Sequence, residues 1–240
     1  NVCGSSDSIG DLDLDPEFEP DPVYAGVGIH LQPNSYLADD PQGKDILSGA
    51  FYEMGGRLYS MGRGMAAADS KAGSVIAHLK ELRPGWAPKR VLDMGCSAGS
   101  SSVPYKQAFP DAEVHAVDLG SSMLRYAHAR AVCMGVEVYF HQMDAGNTSF
   151  PDGYFDLVIS HNLLHEISNE KRREVARETR RLLAEDGIAV HQDVDLLFRN
   201  KTLWQEAERS WDLKHNHEPF WLAYATSDFL GEIREAGFSE

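Results

Sequence analysis

Asp93, Gly95, Ser97 and Gly99 stand where an apolar run, RVLDM (Arg90–Met94), meets a small-residue stretch, GCSAGSSS. Glycines at that spacing permit a tight turn and a close backbone approach to a ligand. A helix starting just beyond would add free N–H groups and a positive dipole end. Asp118 follows 25 residues after Asp93, at the end of a second apolar run, EVHAVDL at 113–119. A carboxylate at that place can accept both hydroxyls of a ribose. A glycine-rich turn alone is only a turn; with two spaced acids it describes a nucleoside site. A second reactive group is the stretch SHNLLHE at 160–166, with His161 and His165, and a third is His191 with Asp193.

These residues need elements to hold them. Val75, Ile76, Leu79 and Leu82 recur at helical spacing, and Pro84-Gly85 ends that helix. Strand-like and helix-like segments then alternate. Strands are expected at 90–94, 113–119, 136–140, 155–160 and 187–194. The continuous apolar run FDLVIS suits a central parallel strand covered on both faces. Helices are expected through Phe109, over 121–134 with Ser121 or Ser122 as its cap, and over 168–183 with Val175, Thr179, Leu182 and Leu183 on one side. This rhythm predicts an α/β fold, a doubly wound and mainly parallel sheet with helices on both faces. Ligands in such sheets lie at the carboxyl ends of the strands, which is where all three groups fall. Residues 195–225 interrupt the rhythm with Trp204, Trp211, Trp221 and Tyr224 and read as a helical insertion. An amphipathic helix over 226–236 follows.

Composition limits the partners. The 240 residues carry a net charge of −15, and seven acids with no Lys or Arg fall within residues 7–21. That stretch is expected to be a solvated, disordered tail. The remainder still carries −8, which repels nucleic acids and anionic membrane surfaces. No run reaches the roughly 18 apolar residues of a membrane helix, and the start lacks a secretory layout. Cys3, Cys96 and Cys133 are scattered and odd in number, so a reducing cytoplasm is expected rather than a disulfide framework.

VLDMGCSAGSSS resembles the first motif of the class I S-adenosylmethionine-dependent methyltransferases, a hydrophobic strand followed by D-x-G-x-G-x-G. AVDLGSSML is similar to their second motif, QMDAGNTSFPDGYFDLVISHNLLHEI to the run through their third and fourth strands, and RLLAEDGIAVHQDV to the fifth-strand region. The resemblance spans 69–194 in family order. It implies S-adenosyl-L-methionine as cofactor and S-adenosyl-L-homocysteine as product. It implies that Asp93, Gly95, Cys96, Ser97 and Gly99 line the methionine part, and that Asp118 grips the ribose. Leu119 and Met123 would lie beside the adenine, Asp144 and Ala145 at its edge, and Ser160 and His161 near the methionine end. Two positions depart from the pattern: Ser97 replaces the middle glycine, and Asp186 the first of two glycines before the fifth strand. A nicotinamide or flavin dehydrogenase would need G-x-G-x-x-G, which Gly95-x-x-x-Gly99 does not supply.

The implied organisation is an acidic tail at 1–25, a helical cap at 26–68 and a methyltransferase domain at 69–240 with a lid at 195–225. The family also has two further strands beyond Gly237. A sequence that starts at Asn1 and ends at Glu240 is therefore expected to be trimmed, or to have a sheet edge completed by a second copy in a homodimer. The expected activity is methyl transfer to a small molecule, with positioning as the main catalytic effect. A non-catalytic module that only binds the cofactor is the alternative.

His165, then His161, are the candidates for a base, needed only if the acceptor arrives protonated. Tyr59, Asn162, His191, Trp204, Trp211 and Trp221 are the candidate substrate contacts. With Tyr36 and Tyr52, these aromatics would form a dry lid over an aromatic or prenylated acceptor. Each ring alone reads more readily as cap core, and only as a group do they suggest the lid. No metal site is expected, because only His161 and His165 among the histidines considered have a ligand-like spacing.

Overall fold

The structure is a computed structural model, and it describes residues 9–59, 71–194 and 202–238. Strand β1 (Asp11–Asp13) comes first, followed by helix α1 (Pro22–Ala25), two 3-10 turns at Ile29–Leu31 and Pro33–Tyr36, and helices α2 (Leu47–Tyr59) and α3 (Lys71–Leu82). The alternating part runs β2 (Arg90–Met94), α4 (Ser102–Ala108), β3 (Glu113–Asp118), α5 (Ser121–Cys133), β4 (Tyr139–Gln142), β5 (Phe155–His161), α6 (Asn169–Leu182) and β6 (Leu183–Gln192). Helices α7 (Leu203–His215), α8 (Trp221–Ala225) and α9 (Phe229–Glu235) complete it.

The six strands are all parallel, in the order β1-β4-β3-β2-β5-β6. The chain leaves β2 toward β3 and β4, then returns to β5 and β6 on the other side. Strand order therefore reverses at β2, where such sheets open a crevice for ligands. Val91, Leu92 and Met94 of β2 are fully buried because both faces of the sheet are covered. One face packs Val91, Ala116, Leu157 and Ile159 with α3, α4 and α5. The other packs Leu92, Met94, Val117 and Val158 with α6 and Tyr224.

Where composition suggests a disordered tail, Asp11–Asp13 instead form the edge strand β1, in register with Tyr139–His141. Gly10 makes this approach possible: its φ is +73°, and a Cβ there would sit 2.2 Å from the Val138 carbonyl oxygen. Leu12 packs on the core while Asp11 and Asp13 face solvent. Residues 1–8 lie outside the described residues. Strand β4 also begins later than its alternation suggests, since it pairs with β3 only from Tyr139 onward.

Helix α5 starts without a serine cap: Gly120 is its N-cap residue. The two serines serve the N-terminal segment instead. Ser121 Oγ donates to Asp39 at 2.6 Å and Ser122 Oγ to Asp45 at 2.5 Å, while Arg125 reaches Asp39 at 2.5 Å. Gly49 of α2 lies against the Tyr126 side chain, leaving no room for a Cβ. The segment is thereby fastened over the carboxyl ends of β2 and β3. Among the described residues no helix is long and apolar enough to cross a membrane.

Arg172 of α6 is completely buried and forks onto Glu232 of α9, at 2.6 and 2.9 Å. Removing one partner strands a charge in the interior. Arg172→Ala is expected to lower unfolding stability by about 3–5 kcal/mol in urea titrations. Arg173→Ala, at a 44% exposed side chain 3.7 Å from the same carboxylate, is expected to change it by less than about 1 kcal/mol.

Candidate active site

The turn after β2 is built by left-handed backbone. Gly95 and Gly99 have φ of +68° and +69°, and Ser97 adopts +50° without being glycine. A Cβ on Gly95 would approach Leu163 Cδ1 to 2.8 Å, so the turn and the loop after β5 meet face to face. Asp118, at the end of β3, closes the other side. Its Oδ2 accepts from Ser97 N at 2.9 Å and its Oδ1 from Gly120 N at 3.0 Å. Burial pushes its carboxyl above the ordinary range, while the backbone N–H groups of Gly120, Ser97 and Leu119 work in the opposite direction. Each oxygen retains a lone pair for a further donor.

Asp93 lies beneath the turn and is fully buried. Ser101 and Ser102 both donate to its Oδ2 at 2.6 Å, while Oδ1 has no hydrogen-bond partner. A buried unpaired carboxylate oxygen is costly. Burial raises the carboxyl of Asp93 and the thiol of Cys96.

Above the turn is a cleft of about 870 Å³, including its mouth, within the range of small-molecule sites. Gly95, Ser97, Asp118, Leu119, Met123, Asp144, Ala145 and Asn162 all line it. Asp144 is steadied by Lys171, whose Nζ donates to it at 2.6 Å. The opposite wall comes from the N-terminal segment, with Tyr24, Ile29, Tyr36 and Tyr52. Tyr36 and Tyr52 meet edge to face at 5.5 Å, and burial raises the Tyr52 hydroxyl to about 12.

The remaining predicted residues are elsewhere. Asp93, Cys96, Gly99 and Ser160 support the turn and strands from behind rather than lining the cleft. His161 is occupied by Gln192 at 3.0 Å and Tyr105 at 3.2 Å. His165 is 3% exposed and does not line the cleft; its neighbour Glu166 does. Its Nδ1 lies 2.5 Å from Asp193 Oδ1, and its Nε2 faces Glu166 and Glu218. Burial lowers this imidazole's affinity for a proton, but Asp193 outweighs it and the net shift is upward. His191 bridges Ser160 at 2.8 Å and Thr179 at 3.3 Å within the fold.

Trp221 is buried against His165, their rings 5.0 Å apart. Trp204 and Trp211 are 73% and 62% exposed and do not line the cleft. The side chain of Tyr59 lies outside the described residues. Sequence reasoning missed Met143, Glu166 and Lys171 as cleft residues. Met143 and Glu166 lie one residue from positions it singled out, but strand ends do not tell which neighbour turns inward.

Residues 91–187 match the family model of the methyltransferase domain. The chain carries a class I S-adenosylmethionine-dependent methyltransferase domain. It is 42% identical over 72 residues to demethylmenaquinone methyltransferase of Thermus thermophilus, covering 30% of this chain and 33% of that protein. It is 26% identical to the ubiquinone/menaquinone biosynthesis C-methyltransferase UbiE of Burkholderia multivorans, covering 70% of this chain and 65% of that one. The chain thus spans between one third and two thirds of these two relatives' length. The fold is shared with phosphoethanolamine N-methyltransferase 2 of Haemonchus contortus, solved in complex with S-adenosyl-L-methionine. That match has a TM-score of 0.58 at 19% identity and covers 84% of this chain and 43% of the other. In the methyltransferase domain the residues that line the cleft suit that cofactor. The carboxylate of Asp118 and the open backbone at Gly95 fit a sugar and an amino-acid arm.

Burial lowers the imidazole of His191 from about 6.5 to about 4. Between those values the unfolded chain binds a proton that the folded chain refuses. The contribution is therefore complete above about pH 6.5 and is lost toward pH 4, by at most about 1.4 kcal/mol per pH unit. Urea titrations between pH 7 and 5 are expected to show a shallower loss of stability in His191→Gln than in the unaltered chain. Equal slopes would exclude this role.

Proposed function

We propose that the chain transfers a methyl group from S-adenosyl-L-methionine to a small, largely apolar acceptor carrying an aromatic or similarly flat ring. The observation that carries the reading is the cleft itself. Its floor is Gly95, Ser97 and Asp118, and its roof is Ile29, Tyr24, Tyr36 and Tyr52. One wall has the polar groups for a nucleoside; the other is apolar and aromatic and suits the acceptor. The two quinone-pathway relatives named above act on ring compounds by their names, in agreement with such a wall.

The cofactor, when bound, supplies an electrophilic methyl group. The protein's part is then to hold the acceptor atom in line with it, an effect worth about 7–11 kcal/mol in favourable cases. Asp118 accepts the sugar hydroxyls, its carboxylate already oriented by Ser97 N and Gly120 N. Leu119, Met123 and Ala145 provide an apolar surface for the base, beside Asp144. Asn162, with a left-handed φ of 58°, offers an amide to the acceptor. Tyr36 and Tyr52 exclude water. His165, turned away from the cleft, positions the loop that carries Glu166, a carboxylate that lines the cleft.

The acidic surface, with a net charge of −15, favours a small molecule over a nucleic-acid acceptor. A cytoplasmic location accords with the scattered cysteines. A homodimer is the expected assembly if a second copy extends the sheet edge.

Calorimetry is expected to show saturable binding of S-adenosyl-L-methionine and S-adenosyl-L-homocysteine. Asp118→Ala should weaken both about 10- to 100-fold, the loss of charge-assisted hydrogen bonds. Labelled-methyl assays should find turnover on hydroxylated aromatic or quinol compounds and none on nucleotides. Absence of binding to the folded chain would overturn the assignment, and binding without turnover on any acceptor would favour a non-catalytic module.

A further inference from the structure

Four side chains from three distant stretches converge behind the acceptor wall. His30 comes from the Ile29–Leu31 turn, His165 and Glu166 from the loop after β5, and Glu218 from the link between α7 and α8. His30 Nε2 is 2.5 Å from Glu218 Oε1 and 3.7 Å from Glu166 Oε1. His165 Nε2 is 3.8 Å from Glu166 Oε1 and 4.0 Å from Glu218 Oε2. Ligand-type atoms of His30, His165 and Glu166 all lie within 4.8 Å of one another.

Proximity of such groups is not enough, but three further observations agree. The Glu218 side chain is only 2% exposed, and its Oε2 has no hydrogen-bond partner although it faces His165. Its other oxygen, Oε1, accepts from Asn216 at 3.2 Å and meets His30. Both imidazoles are held from behind at Nδ1, His165 by Asp193 at 2.5 Å and His30 by the Tyr36 hydroxyl. Metal-bound histidines characteristically have such an outer partner on the nitrogen that does not bind.

Charge is the third. Glu166, Glu218 and Asp193 bring three carboxylates, and the charge of Lys71 reaches Asp193, Glu166 and His30. A divalent ion would offset the mutual repulsion of carboxylates crowded together there.

The geometry points to a divalent transition-metal site, of the Zn²⁺ class, formed by His30, His165, Glu166 and Glu218. Imidazole in the set favours such an ion over Mg²⁺ or Ca²⁺. Tetrahedral coordination at 2.0–2.2 Å separates ligand atoms by roughly 3.3–3.6 Å. The spans of 3.7–4.0 Å would contract by a few tenths of an ångström, and the 2.5 Å contact would open. The N-terminal segment is already latched here, His30 N donating to the His217 carbonyl at 3.1 Å and His217 Nδ1 lying 2.9 Å from the Gly28 carbonyl. The ion would join that segment, the loop after β5 and the α7–α8 link into one wall. Since Glu166 and Tyr36 also line the cleft, metal binding would set the shape of the acceptor side.

The test uses the whole chain, freed of metal with a chelator and titrated with Zn²⁺ alone by calorimetry, and with Co²⁺ by visible absorption. One ion per chain, an absorption band of tetrahedral Co²⁺ and a raised thermal midpoint are expected. His30→Ala and Glu218→Gln should each weaken Zn²⁺ binding at least about 100-fold, and Asp193→Asn about 10- to 100-fold. His78→Ala, at an exposed histidine of α3, should leave it unchanged. Glu218→Gln preserves shape, so it decides the matter if circular dichroism shows His30→Ala to be unfolded. The proposal is overturned if the folded chain takes up no stoichiometric ion, or if Glu218→Gln binds as tightly as the unaltered chain. Cofactor binding measured on the same samples reports on the methyltransferase assignment separately.

Discussion

The site depends on one carboxylate joining two turns. Asp118 takes the backbone N–H of Ser97 from the turn after β2 and that of Gly120 from the start of α5. That bridge reinforces the backbone bonds from Gly95 N and Cys96 N to the Val117 carbonyl, at 2.9 and 3.0 Å, which join the same strand ends. The bridge also accounts for Ser97, which holds a φ of 50° where the family places glycine. Left-handed backbone costs a non-glycine residue about 1–2 kcal/mol. A hydrogen bond to a charged acceptor contributes about 1.5–3 kcal/mol and offsets it. The departure from the motif is accommodated by the residue that defines the site.

A second layer follows from α5. Its opening residues spend their hydroxyl and guanidinium groups on Asp39 and Asp45 rather than on capping the helix. That choice lays the N-terminal segment across the turn, so that Tyr36 and Tyr52 face Asp118 and Gly95 from above. The parallel sheet thus supplies a polar floor, and a segment preceding it in sequence supplies an apolar roof. Ser48 N donates to Ser122 Oγ at 3.2 Å and continues the same seam into α2.

Much of the sheet was legible because burial on both faces leaves a plain record. Val91, Leu92, Val158 and Ile159 sit in predominantly apolar runs, and each is at most 1% exposed. The floor of the cleft was legible because Asp118 and Gly95 obey a local spacing that the backbone turn itself requires. The wall opposite was not. His30 and Glu218 stand 188 residues apart and meet only through tertiary structure. Tryptophan is equally at home in a cap or on a surface, so Trp204 and Trp211 carried no directional information. His165 illustrates the middle case: its place beside the strand-five rim was foreseeable, but the direction of its Nε2 depends on Asp193, Glu166 and Glu218 together.

The strand at residues 11–13 has a bearing on how the molecule behaves in a crowd. An unpaired β4 would offer an open row of backbone donors and acceptors to any passing strand. Asp11–Asp13 occupy that row themselves, and two exposed aspartates flank the only inward side chain, Leu12. A second sheet approaching this border meets like charge before it can form a single hydrogen bond. The acidic beginning of the chain thus works as a gatekeeper, keeping one rim of the sheet from propagating into aggregates.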